Sequence, residues 1–291
     1  MKPANLQTKI FLDSGNPEET KDILQKLGFL DGQTTNPSLI AKNPEAQARL
    51  QEGNKFSAEE VNNFYKEVIT DIRSQLTEGQ SISIEVYADA DTDAETMIEQ
   101  GRVMNTWIPD AHIKLPTTAA GLEAAAALTS EGMRVNMTLV FTEDQAGAVY
   151  AATTGEKGDV FLSPFIGRLD DKGERGMSLI ENVTKLYKES GDGHVEVLVA
   201  SIRSLDHLVS TLELGADIAT VPGRILVEWA DAGMPTSFAD MNKEAPDQSD
   251  LTDIEFKNVN LESDVSGFDI THELTDTGLA KFAADWNNMV G

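Results

Sequence analysis

Val195-Glu196-Val197-Leu198-Val199-Ala200-Ser201, then Leu205-Asp206-His207-Leu208-Val209-Ser210-Thr211-Leu212, then Ala216-Asp217-Ile218-Ala219-Thr220-Val221 follow one another along the chain. The outer two are short, apolar and β-branched, as buried strands are. The middle one carries helix formers at amphipathic spacing, with Gly215 where a helix C-cap falls. A strand, a helix and a second strand in so short a span are the unit of a parallel sheet with crossover helices. Upstream the same alternation recurs, with strand candidates at Lys9–Asp13, Gly32–Thr35, Ser81–Tyr87, His112–Leu115, Val135–Val140 and Val160–Ser163. That makes eight strands, the number of an α/β fold of the (β/α)8 TIM-barrel kind.

The rest of the chain fits around this frame. Gly121–Leu128 reads as another crossover helix, with Gly132 near its end, and a longer helix from Ala58 to Leu76 separates the second and third strands. Residues 1–291 are expected to form one barrel domain with extra N- and C-terminal helical segments, since barrels reach roughly 250 residues as one domain. The acidic, aperiodic stretch 234–272 is expected to be a surface loop or subdomain. A C-terminal helix over 273–290 places Leu279, Phe282, Ala283 and Trp286 on one face at i, i+3, i+4 and i+7. Such a face is expected to dock on the barrel, with a homo-oligomer contact as the alternative.

Composition removes several functions. With 23 basic and 49 acidic side chains the formal charge is −26, which repels phosphate backbones and anionic membranes. No nucleic-acid or membrane partner is expected. The acidity serves solubility and equally serves life at high salt, without bearing on fold. There is no apolar leader and no apolar run near the roughly 18 residues of a membrane helix, so a soluble, cytoplasmic protein is expected. The absence of Cys excludes disulfides, thiolate metal sites and a Cys nucleophile. No metal is indicated by the spacing of His112, His194, His207 and His272. Asp89-Ala90-Asp91-Thr92-Asp93 opens like a calcium loop but has Ala94 and Gln100 where Gly and Glu are needed. No Walker loop or GxGxxG run is present, so no cofactor is expected.

Barrel active sites form at the C-terminal ends of the strands, so polar residues closing apolar strands are the candidates. Asp13 closes the first strand, Asn36 follows the second, Glu85 lies in the third and Lys114 in the fourth. Asn136 and Thr138 alternate on the fifth, Ser163 closes the sixth and Ser201 the seventh. Lys114 stands out, because lysine is rarely buried in an apolar strand without a reason. Burial lowers an amine's pKa and supplies the neutral nucleophile that attacks a ketone; an edge-exposed lysine, or an ion pair with Glu85 or Asp13, is the structural alternative. Arg168 and Arg203 each follow a strand-terminal serine, in Ser163-Pro164-Phe165-Ile166-Gly167-Arg168 and Ser201-Ile202-Arg203. Guanidinium with hydroxyl is a good phosphate grip. Singly, each arginine could instead form a surface salt bridge.

With these residues placed, the chain resembles the transaldolase family from Phe11-Leu12-Asp13-Ser14-Gly15 to Gly278-Leu279-Ala280-Lys281-Phe282, outside the 234–272 region. The likeness runs through Thr34-Thr35-Asn36-Pro37-Ser38-Leu39, Ile84-Glu85-Val86, Ile113-Lys114-Leu115-Pro116, Asn136-Met137-Thr138-Leu139-Val140-Phe141 and the two serine–arginine segments. The resemblance implies a Schiff base on Lys114 and Asp13 as the acid/base at the C4 hydroxyl. It also implies a water held by Glu85 and Thr138, with substrate hydroxyls oriented by Asn36 and Asn136. Phosphate would be held by Ser163, Arg168, Ser201 and Arg203. The implied reaction moves a dihydroxyacetone unit from sedoheptulose 7-phosphate or fructose 6-phosphate to glyceraldehyde 3-phosphate or erythrose 4-phosphate, in the pentose phosphate pathway, without a cofactor.

The family also holds aldolases that cleave fructose 6-phosphate and release the unit. Glu85 and Phe165 stand where those aldolases tend to carry Gln and Tyr, which favours transfer. Ile202 replaces an aromatic usual in transferases, and Pro116-Thr117-Thr118 resembles the shorter aldolase-type members. A fructose-6-phosphate aldolase is therefore the nearest alternative. A non-catalytic phosphosugar-binding protein is a third, against which stands the retention of Lys114, Asp13 and Glu85.

Overall fold

The computed structural model describes residues 2–291. Its strands are β1 (Lys9–Asp13), β2 (Gly32–Thr34), β3 (Ser81–Glu85), β4 (Ala111–Pro116), β5 (Arg134–Val140), β6 (Val160–Pro164), β7 (Val195–Val199) and β8 (Ile218–Val221). All pair in parallel in chain order, and β8 pairs back on β1, with Lys9 opposite Ile218 and Leu12 opposite Val221. The fold is a closed (β/α)8 TIM barrel, as the strand count requires. Strands buried on both faces read as continuous apolar runs, which is why they were visible in the sequence.

Twelve helices lie among the described residues. The first three, α1 (Pro17–Leu27), α2 (Pro37–Ala41) and α3 (Pro44–Gln51), each begin at an Asn-Pro pair. The asparagine side chain accepts a bond from a first-turn N–H, and the proline occupies a position whose own N–H would have no partner. The extra helices of the N-terminal part are thus α2 and α3, inserted after β2. Then come α4 (Ala58–Gln75), started by a Ser57/Glu60 capping box, α5 (Ala94–Asn105), α6 (Ala119–Ser130) and α7 (Glu143–Ala152). Next are α8 (Ile166–Asp170), α9 (Gly176–Ser190), α10 (Leu205–Leu214), ended by Gly215 at φ 71°, α11 (Gly223–Asp231) and α12 (Glu273–Asn287). The calcium-like run is a helix start, with Asp93 capping α5.

Several boundaries differ from the sequence reading. β3 stops at Glu85 and not Tyr87, and β7 stops at Val199, two residues short of Ser201. Ser201 turns into the left-handed region at φ 59°, which ends the strand. β8 begins at Ile218 instead of Ala216, and α12 ends at Asn287, after which Val290 bridges to Phe56.

The acidic stretch holds two single-turn helices, Ala239–Met241 and Val265–Gly267, and a short strand, Thr252–Asp253, paired with Glu174–Arg175. It is pinned by buried Phe238, Val259, Leu261 and Phe268. The last helix, α12, buries Leu279, Phe282, Ala283 and Trp286 on the barrel. Thr275 Oγ1 donates to the Leu139 carbonyl at 2.9 Å, and Asp285 accepts from Ser38 Oγ on α2. This lays α12 across the C-terminal mouth of the barrel. No helix among the described residues is long and apolar enough to cross a membrane.

Candidate active site

Parallel register puts Glu85 of β3 directly beside Lys114 of β4, and Lys114 beside Asn136 of β5. Lys114 is 3% exposed and its Nζ lies 3.0 Å from Glu85 Oε2. The pairing rules out an edge-exposed lysine and realises the ion pair that the sequence allowed. Glu85 Oε2 receives no aligned hydrogen bond, and the nearest carbonyl to Nζ, that of Thr35, is 3.5 Å away. Taking both charges out of water costs several kcal/mol per ion, which only well-formed hydrogen bonds offset. A group with three donors and one close acceptor is held ready for another partner.

Glu85 is further fixed through its backbone. Its N–H donates to the buried Tyr65 hydroxyl at 2.9 Å, and that hydroxyl also bonds Thr35 Oγ1 at 2.8 Å. Burial raises the Glu85 carboxyl above its ordinary range, against the opposing pull of Lys114. Asp13, at the end of β1, behaves alike: enclosure raises it, while Lys114 and a 2.7 Å bond from Thr34 Oγ1 pull it back.

A polar layer crosses the barrel beneath. Asn136 donates from Nδ2 to Ser83 Oγ at 2.9 Å and accepts from Ser163 Oγ at 2.7 Å, so both ends of its carboxamide are engaged. Thr138 Oγ1 is fully buried and has no hydrogen-bond partner. Buried hydroxyls without partners are rare and mark a site for a small polar guest. Asn36 caps α2 through Oδ1, accepting from Leu39 N–H at 2.9 Å, which leaves its amide group for the cavity.

Above this layer a cavity of about 200 Å³ opens at the C-terminal end of the barrel. Asp13, Asn36, Lys114, Ser163, Phe165, Arg168 and Ser201 line it. Four other hollows are larger, about 300, 470, 630 and 850 Å³, but none of them contains a buried lysine. The Arg168 guanidinium stacks between two rings, 5.1 Å from Phe165 and 5.6 Å from Phe282. Ser201 keeps its left-handed backbone there, a cost of roughly 1–3 kcal/mol tolerated mostly at functional sites.

Of the residues singled out in the sequence, Glu85, Asn136 and Thr138 are buried and do not themselves line the cavity, and Arg203 stands outside it, paired with Asp171 and 43% exposed at its side chain. The residues missed include Thr34, Lys42, Thr220, Lys281 and Phe282, all lining the cavity. With Lys114 and Arg168, the two lysines concentrate positive charge at one point of a strongly acidic chain, as an anionic ligand would require.

A family model described as transaldolase/fructose-6-phosphate aldolase matches residues 10–291. A protein of Dehalococcoides mccartyi named probable transaldolase is 35% identical over 283 residues, covering 97% of this chain and 99% of that one. One of Methanococcus maripaludis with the same name is 35% identical over 278 residues, covering 96% and 97%. A probable transaldolase 2 of Listeria monocytogenes is 40% identical over 217 residues, 75% of this chain and 86% of its own.

Proposed function

The chain belongs to the transaldolase/fructose-6-phosphate aldolase family of enzymes, and on that premise we propose that it transfers a dihydroxyacetone unit between sugar phosphates through a Schiff base on Lys114. The observation that carries this reading is the buried Lys114 Nζ, 3.0 Å from Glu85 and facing the same cavity as Asp13. Neutral Nζ attacks the C2 carbonyl of fructose 6-phosphate or sedoheptulose 7-phosphate. Loss of water gives a protonated imine, which draws the electrons of the C3–C4 bond as Asp13 takes the C4 hydroxyl proton. The aldose phosphate departs and an enamine remains on Lys114. The reverse steps with glyceraldehyde 3-phosphate or erythrose 4-phosphate complete the transfer.

Protons must move between Nζ and the C2 oxygen while the carbinolamine forms and dehydrates. The orphaned atoms Glu85 Oε2 and Thr138 Oγ1 fit a water that carries them. Asn36 offers its free amide group to substrate hydroxyls, and the fully engaged Asn136 acts by holding the floor rigid. Arg168, Ser201 and Ser163 face the end where a phosphate would lie, with Arg203 contributing from the rim. We read residues 1–291 as one barrel domain, 234–272 as its strap, and the protein as a cytoplasmic enzyme of the pentose phosphate pathway; a homo-oligomer would have to form through a face other than the apolar side of α12, which is buried on the barrel.

Transfer is favoured over release because a carboxylate lies beside Lys114 and the cavity it faces carries an apolar ring, Phe165. Little turnover of fructose 6-phosphate is expected until erythrose 4-phosphate is added. Phe165→Tyr should place a hydroxyl in the cavity that holds Lys114 and raise free dihydroxyacetone release, by up to the roughly 10²–10⁴-fold of a positioned proton donor. Steady release by the unaltered enzyme without acceptor would instead assign it to the aldolases.

The phosphate reading separates the two arginines. Arg168→Ala removes a charge-assisted grip inside the cavity, worth about 1.5–3 kcal/mol, so KM for fructose 6-phosphate should rise roughly 10–100-fold. Arg203→Ala should cost only a few-fold, because its guanidinium already pairs with Asp171 in solvent. Neither should hinder imine formation with unphosphorylated dihydroxyacetone.

A further inference from the structure

Arg168 is half-buried beside a cavity, and no hydrogen bond or ion pair to its guanidinium is found among the described residues. Its position is set by shape. Phe165 covers one side, and the rest of the seat comes from α12, far along the chain. A Cβ on Gly278 would overlap Arg168 Nη1 and would lie 2.6 Å from Leu139 Cδ2. Leu139 has little freedom to yield: it sits at φ 62° in a register shift of β5, with its carbonyl held by Thr275 Oγ1 at 2.9 Å. Arg168 is what would move. Gly278 lies inside a 15-residue helix with no positive φ to require it. Glycine is among the poorest helix formers, so the space its missing side chain leaves is the physical reason for it there. Four residues on, one turn along the same face, the Phe282 ring lies 5.6 Å from the Arg168 guanidinium carbon and 6.0 Å from Lys114 Nζ.

We propose that α12 is a working wall of the active site, in which Gly278 and Phe282 are positioning residues that aim the Arg168 guanidinium into the cavity and set the preference for phosphorylated substrates. The inference rests on Arg168 being the phosphate grip. It adds that a residue more than a hundred positions away decides where that grip points.

The test is a double-mutant cycle between Gly278→Ala and Arg168→Ala, read as KM and kcat for fructose 6-phosphate with erythrose 4-phosphate as acceptor, and as borohydride trapping with dihydroxyacetone. Gly278→Ala should raise KM about tenfold, leave kcat within about twofold and leave dihydroxyacetone trapping at the wild-type level. In the Arg168→Ala background the same substitution should raise KM by less than about twofold, since the group it displaces is gone. Phe282→Leu, which frees one ring face without adding bulk, should raise KM in the same sense and serves if Gly278→Ala folds poorly. An unchanged KM in both helix variants, or an equal rise with and without Arg168, would overturn the inference. A normal KM in Arg168→Ala alone would instead overturn the phosphate reading beneath it.

Discussion

Replacing Lys114 by Met is expected to lower the transfer rate by at least about 10⁴-fold, the scale seen when a covalent nucleophile is removed. Borohydride with fructose 6-phosphate should leave a reduced adduct on the 111–116 strand of the wild-type protein and none on the variant. An adduct on another lysine, or activity within a hundredfold of wild type, would mean that β4 does not carry the chemistry. The same variant tests the electrostatics. Lys114 is the counterion for two carboxyls that burial already raises, Glu85 and Asp13, so its loss raises them further. Between the unfolded carboxyl pKa, about 4, and the raised folded value, the folded state binds more protons than the unfolded one, and stability falls as pH rises. The variant's deficit should therefore be small near pH 4 and widen through the folded pKa. It should reach, at most, the roughly 3–5 kcal/mol of a buried charge left alone. Denaturant titrations at pH 5 and pH 8 measure this. A deficit of the same size at both would show that neither carboxyl depends on Lys114 for its charge.

The fold was legible because a barrel strand is buried on both faces and so must be an apolar, β-branched run. Once eight such runs alternate with helices, few topologies remain. Strand ends were less legible, as at β7, where a left-handed Ser201 stops the pairing without any change in hydropathy. Lys114, Asp13 and Glu85 could be read because a charge in an apolar run is an anomaly that local sequence displays. Lys42, Lys281 and Phe282 could not. They lie on α2 and α12, or just past them, where a lysine looks like any helix surface and a phenylalanine like any docking residue, and only the packing of α12 over the barrel mouth brings them to the cavity. Arg168 and Arg203 looked equivalent, each a short interval after a serine. Their difference is tertiary: the short helix α8 turns Arg168 inward, while Asp171 at its end draws Arg203 out to solvent.

Asp13→Asn should slow carbon–carbon cleavage by about 10²–10⁴-fold, the usual worth of a positioned proton acceptor, while dihydroxyacetone still traps on Lys114. Cleavage needs the ionised carboxylate, so the wild-type rate should climb with pH through the raised Asp13 pKa and level off above it. Thr34 offers a finer probe. Its single hydroxyl proton goes to Asp13 Oδ1 at 2.7 Å, so the 2.5 Å contact with Thr220 must be a bond donated by Thr220. The donated proton favours the charged carboxylate. Thr34→Val removes it, raises the Asp13 pKa and should move the acid limb of single-turnover cleavage toward higher pH, with the plateau rate little changed. Glu85 is also raised, but it does not accept from Thr34, so a shift on this substitution identifies Asp13 as the group that titrates. An acid limb that stays in place in Thr34→Val would assign the titration elsewhere and remove Asp13 from the role of base.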